Sequence, residues 1–272
     1  MELRLVNIQA ENADFLCKSI AAYLTQRVGL PVEFVTEGSW QERARMLDEG
    51  EAHIGFLCGL PYVVNVDGPS PSLNLLAAPV LQGSRYAGKP VCYSDLLVRA
   101  ESPFTDLSEL MGKAIAFNDP TSHSGSGVLR YQLALRGEDA SFFGSVQASG
   151  SHQTSLAWLL EGRVDAIVMD SMVWDYEVQK DPALAARGRA IETWGPSMAP
   201  PFVASRQVPD YLQHRIKNAL LGMHLDQVGT RILRSGLLDR FELIQDSDYK
   251  DIRAMALKGR SVEWPIGIGN FA

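Results

Sequence analysis

Asn118-Asp119-Pro120-Thr121-Ser122-His123-Ser124-Gly125-Ser126-Gly127 lies between an apolar run, Ala114-Ile115-Ala116-Phe117, that reads as a strand, and an amphipathic stretch from Val128 to Arg136 that reads as a helix. The stretch is therefore a strand-to-helix turn. A helix start leaves backbone N–H groups without partners and carries the positive end of the dipole, so hydroxyls and glycines gathered there form a cup for an oxyanion. Thr121, Ser122 and Ser124 have a second reading as plain helix caps with no ligand, and the turn by itself leaves both open.

Working outward, the N-terminal third alternates strand and helix. Met1-Glu2-Leu3-Arg4-Leu5-Val6-Asn7-Ile8 alternates like a half-buried first strand rather than a signal peptide, so either a leader has been trimmed or the protein is cytosolic. Asn12 or Asp14 is expected to cap a helix that ends at Gly29, and residues 32–35 and 52–57 read as strands flanking a helix over 39–47. Such alternation implies parallel sheet covered on both faces. The Cys58-Gly59-Leu60-Pro61-Tyr62 turn then falls at the carboxyl edge, outside which ligands bind in open α/β sheets.

Residues 73–82 and 91–100 read as longer extended segments. A second α/β unit follows, with strands at 114–117, 142–148 and 164–169, each ending in a turn that opens a helix. Residues 189–194 read as a strand leading back, 195–201 as a rigid irregular link, and the remainder as mainly helical. The expected organisation is α/β, with a discontinuous first lobe of residues 1–93 and 197–272 and an inserted second lobe of residues 94–196.

Composition narrows the function. The 272 residues are 46% hydrophobic and 21% charged, an ordinary globular balance. A net charge of -7 without any Lys/Arg run argues against nucleic acid as a partner. No apolar stretch approaches the length needed to span a bilayer. Cys17, Cys58 and Cys92 are too few and too scattered for a disulfide framework and read as buried thiols.

Several chemistries lack their residues. Arg130 stands where a dinucleotide fingerprint needs its third glycine, no Gly-Lys-Ser/Thr closes a phosphate loop, and no serine sits in a Gly-x-Ser-x-Gly elbow. His53, His123, His152, His214 and His224 show no ligand spacing, so neither a metal nor another cofactor is expected. What remains is a pair of turns, Ser122-His123-Ser124 with Gly125 and Ser151-His152, whose hydroxyls, amides and imidazoles suit a tetrahedral anion. Tyr62 and Tyr93 are placed near the same region, where their phenols would donate to a ligand. Asp119 and Asp170 oppose an anion unless they accept its proton or meet an ammonium group, and Asp170 also reads as an N-cap.

Gly50-Glu51-Ala52-His53-Ile54-Gly55-Phe56, Gly59-Leu60-Pro61-Tyr62, Asp119-Pro120-Thr121-Ser122-His123-Ser124-Gly125, Gly150-Ser151-His152 and Gly162-Arg163-Val164-Asp165-Ala166 together resemble the phosphonate, phosphite and phosphate-binding proteins of ABC importers. These are a branch of the type 2 periplasmic binding proteins, and the likeness runs over nearly the whole chain. It implies two α/β lobes joined by two crossing strands, ligand capture between them, a small oxyanion as ligand and an ABC permease as partner. It further implies a monomer located in the periplasm and no catalysis. By the same resemblance Ser122, His123, Ser124 and His152 contact the oxyanion, and Tyr62 and Tyr93 come from the opposite side. His123 replaces the threonine usual in relatives, and only Asp170 matches the carboxylates of relatives that accept aminoalkyl groups. The other reading is a cytosolic biosynthetic enzyme or a ligand-sensing domain on the same scaffold.

Overall fold

The structure, a computed structural model, describes residues 2–264. The chain opens with β1 (Leu3–Asn7), α1 (Asp14–Val28), β2 (Val32–Phe34), α2 (Trp40–Asp48), β3 (Ile54–Phe56), α3 (Gly59–Asp67) and β4 (Leu73–Leu81). β5 (Val91–Arg99) leads into β6 (Ala114–Phe117), α4 (Val128–Arg136), β7 (Ser145–Ala148), α5 (His152–Leu160), β8 (Ala166–Asp170) and α6 (Ser171–Lys180). β9 (Gly188–Met198), β10 (Phe202–Ser205), α7 (Asp210–Leu221), α8 (Gln227–Ser235), β11 (Leu238–Glu242) and α9 (Lys250–Gly259) complete it.

Two compact units result. Among the described residues the first holds 2–91 and Met198–Lys250, the second Cys92–Ser197 and 251–264. β5 and β9 are the two strands that carry the chain across, since the unit boundaries at Val91/Cys92 and Ser197/Met198 fall within them.

The first unit is built on a six-stranded sheet in the order β11-β4-β10-β3-β1-β2. β1 pairs parallel with β2 and β3, as the βα alternation requires. The rest of the sheet is antiparallel, because β10 inserts between β3 and β4 and β11 closes the edge against β4. The all-parallel expectation is thus corrected by two short strands in the segment read as mainly helical. Phe202 of β10 shows why they belong there: it is fully buried, stacked 4.7 Å from Phe56 and edge-on to Phe241 of β11 at 5.3 Å. α1 buries Leu16, Cys17, Ile20 and Leu24 on one face. It starts without a side-chain cap. Asp14 instead accepts from Asn7 Nδ2 at 2.7 Å and from Arg43 at 3.4 Å, which fastens the loop after β1.

The second unit has a five-stranded sheet, β7-β6-β8-β5-β9. β6 lies parallel to both β7 and β8, with Phe117 opposite Ala148 and Ile115 opposite Ala166. β5 runs antiparallel to β8. β9 extends to Met198, through the stretch expected to be an irregular link.

The C-terminal segment also departs from the expected lobe boundary. The sequence places residues 197–272 in the first lobe, whereas α9 packs on the second unit, and the last residues of that range, 265–272, lie outside those described. Val262 is buried in a cluster with Val128, Leu129 and Leu133 of α4, Met255 packs against it, and Trp264 meets Phe117 at 5.4 Å. An amphipathic helix buries its stripe wherever an apolar face is available, and no local signal says which unit offers it. Val262→Ala should therefore cost about 2 kcal/mol of stability, from two lost methyls and the cavity left behind. Urea unfolding would measure it, and hydrogen exchange should quicken along α4.

Candidate functional site

Parallel pairing of β6 with β7 and β8 places the carboxyl ends of three strands side by side. Each is followed by a helix start, so three helix N-termini lie at one sheet edge. The first two turns are stitched together by the backbone. Ser149 N donates to Phe117 O at 2.9 Å and Gly150 N to Asn118 O at 2.8 Å. Ser149 Oγ adds a bond to Phe117 O at 3.1 Å.

The turn after β6 winds through a five-residue π-helix, His123–Gly127, directly into α4. Its hydroxyls divide into two classes. Thr121 is committed to Asp119, which accepts from the Thr121 amide at 2.7 Å and from its hydroxyl. Ser122 is the cap, accepting from Gly125 N at 3.1 Å, and Ser126 donates to the carbonyls of Pro120 and Ser122. Ser124 differs: it is 1% exposed, and its Oγ has no hydrogen-bond partner among the described residues. Leaving such a group unpaired costs about 1–3 kcal/mol, so a site of this kind calls for an occupant. Gly125 is required by crowding. A Cβ there would stand 1.9 Å from Asn118 Oδ1, and that oxygen is likewise buried without a partner among the described residues.

At the second turn Ser151 caps α5 through Thr154 N at 3.1 Å. His152, in the first turn of α5, is 2% exposed, and its Nδ1 has no partner among the described residues. At the third, Asp170 caps α6 through Met172 N at 2.9 Å and is fully buried. The structure thus brings Asn118, Ser124, Gly125 and His152 to two adjoining turns. Asn118, whose side chain sequence reasoning passed over, differs from its neighbours in no respect visible in the sequence, since only burial identifies it.

The remaining expected residues fall as follows. His123 is buried, and its Nε2 is committed to Ser197 Oγ at 2.8 Å, with Ser197 in turn 4.0 Å from Met255 Sδ. Tyr93 belongs to the second unit, not to the opposite side, because the chain has already crossed at Val91; its amide donates to Ser171 Oγ at 2.9 Å. Tyr62 is in the first unit, in the first turn of α3. Its hydroxyl donates to Asp246 Oδ1 at 2.8 Å, and its ring lies 4.8 Å from Tyr249.

Burial strips both imidazoles of their protons at ordinary pH: desolvation pushes His123 down to about 4 and His152 down to about 3. The site's side-chain donors are therefore neutral. In the unfolded chain both residues titrate near pH 6.5, so below that pH the unfolded state binds more protons and stability falls with falling pH. The loss should approach about 1.4 kcal/mol per pH unit per histidine between pH 6.5 and 4, and His152→Gln should lessen the slope in pH-dependent urea unfolding.

Ser197→Ala and His123→Ala should each cost about 1–3 kcal/mol, since each orphans its buried partner. The double variant should cost little more than either single one, a non-additivity that a double-mutant cycle in urea would read. Additive losses would mean that the two side chains act separately.

The fold has parallels in known proteins. A family model described as ABC transporter, phosphonate, periplasmic substrate-binding protein matches residues 9–249. Among solved structures, a binding protein component of an ABC phosphonate transporter from Pseudomonas aeruginosa is similar with a TM-score of 0.83 at 15% identity, covering 95% of this chain and 86% of its own. PhnD1 from Prochlorococcus marinus, in complex with methylphosphonate, is similar with a TM-score of 0.78 at 17% identity, covering 96% and 98%. The periplasmic aliphatic sulphonate binding protein SsuA from Escherichia coli gives 0.64 at 14%, covering 96% and 88%. No curated protein matches the sequence. At these identities the solved structures speak for the fold, type 2 periplasmic binding proteins of two α/β lobes. The family rests on the match over residues 9–249: the chain belongs to the periplasmic substrate-binding proteins of ABC phosphonate transporters.

Proposed function

We propose that this protein is a non-enzymatic solute receptor that binds a small oxyanion of the phosphonate, phosphite or phosphate class and delivers it to an ABC permease. One observation carries the reading: Ser124 Oγ and His152 Nδ1, both buried and both without partners among the described residues, sit on adjoining helix-start turns. A tetrahedral anion offers acceptors to both. Family membership supports reception over the biosynthetic alternative. Among the described residues no helix is long and apolar enough to cross a membrane. Periplasmic location is part of the proposal and follows the family, and a monomeric state is proposed with it.

Thr121, Ser122 and Gly125 would shape the cup, and Ser124 and His152 would hold the ligand. His123, positioned by Ser197, and Tyr93 and Asp170 of the same unit are proposed members of the site, as expected from the resemblance. Isothermal titration with methylphosphonate is the test. Ser124→Ala and His152→Ala should each weaken binding about tenfold to a hundredfold, the loss of one hydrogen bond to a charged group, while far-UV circular dichroism stays unchanged. Wild-type affinity in both variants would take these residues out of the site.

A further inference from the structure

Asn118 Oδ1 is the atom that the oxyanion reading does not satisfy. Asn118 is 8% exposed and directly follows β6 at the head of the first turn, with its backbone carbonyl already tied to Gly150 N. Its side-chain oxygen lies over Gly125, in the turn that carries Ser124, and has no donor among the described residues. A carbonyl oxygen only accepts. A fully ionised oxyanion also only accepts, so the two would repel.

The charge at this edge points the same way. Residues 118–127 and 148–152 contain no Lys or Arg. His123 and His152 are neutral, held at about 4 and about 3 by burial. The carboxylates of Asp119, Asp170 and Asp95 stand on the turns and strands around them, with Asp170 opposite Ser94 in the β5–β8 pairing. Two helix starts and neutral donors compensate one negative charge better than two.

We infer that the site takes its ligand as a monoprotonated monoanion, the hydrogen on one phosphorus-bound oxygen being donated to Asn118 Oδ1. The inference rests on the oxyanion reading above and adds what that reading leaves open, a selection by protonation state. Phosphonates and phosphate can supply this hydrogen near neutral pH. Sulfonates, which share their tetrahedral shape and carry no such hydrogen, cannot.

The experiment is calorimetric titration of the whole wild-type protein with methylphosphonate and with methanesulfonate between pH 6 and 9. Methylphosphonate affinity should fall by about tenfold per pH unit once the second ionisation of the ligand is passed, because the bound species is depleted at that rate. One proton should be taken up per ligand there, read from buffers of different ionisation enthalpy. Methanesulfonate should bind at least about tenfold more weakly, with a flat profile, because it has no proton to lose. Asn118→Ala should narrow the gap between the two ligands.

Methylphosphonate affinity that holds or rises toward pH 9 would overturn the inference. So would parallel declines for both ligands, which would locate the titration in the protein, and so would equal affinities at pH 6. If methylphosphonate, phosphite and phosphate all fail to bind at every pH, the oxyanion reading itself falls, an outcome distinct from binding without proton selection.

Discussion

The parallel register of β7, β6 and β8 is the constraint from which the rest of the second unit follows. Parallel strands end together, and a strand buried between two others must hand its chain to a helix beyond the sheet. Phe117 opposite Ala148 brings the two polar turns to the same level, and the bonds from Ser149 and Gly150 into Phe117 and Asn118 hold them there. A slip of one residue would exchange the faces on which Ile115 and Phe117 pack and shift Ser124 against His152. The site is thus a by-product of sheet register, fixed by buried Ile115, Ala116 and Phe117 rather than by its own polar contacts.

How far this was legible in the sequence depends on the range of the interactions involved. β6, α4, α5 and the capped start of α6 follow from local patterning, because apolar period and cap residues act over a few positions. β10 and β11 were not legible. Phe202-Val203-Ala204-Ser205 is too short to show a period, and its strand character comes from Phe56 and Ala77, its partners far away in sequence. The boundary at Lys250 failed for the same reason, since nothing local tells α9 to prefer the apolar face of α4. Tyr93 was misplaced by the position of a single crossing point.

Within the site, residue type could not separate structural from functional hydroxyls. Serine at a helix start serves as a cap and as an anion donor through the same oxygen. Ser122 and Ser151 are caps, Thr121 serves an Asp119 turn, and Ser126 is turned back on two carbonyls. The turn looks uniformly rich in donors in the sequence, yet its folded form leaves Ser124 unspent. What distinguishes that residue is the combination of burial and an unmet hydrogen bond, which exists only after packing.

The three helix starts at this edge are also electrostatically unequal. α6 is capped by Asp170, a carboxylate that already neutralises the positive end of its own helix through Met172 N. α5 is capped by neutral Ser151, and the π-turn into α4 by neutral Ser122, so these dipoles are left uncompensated. An anion is therefore drawn away from β8 and to the β6 and β7 turns, where Ser124 Oγ and His152 Nδ1 lie without partners among the described residues. Asp119 does not reverse this preference. It is half-exposed and already accepts from the Thr121 amide and hydroxyl, so water and those donors screen its charge, whereas the amides at the buried starts of the other two helices keep theirs.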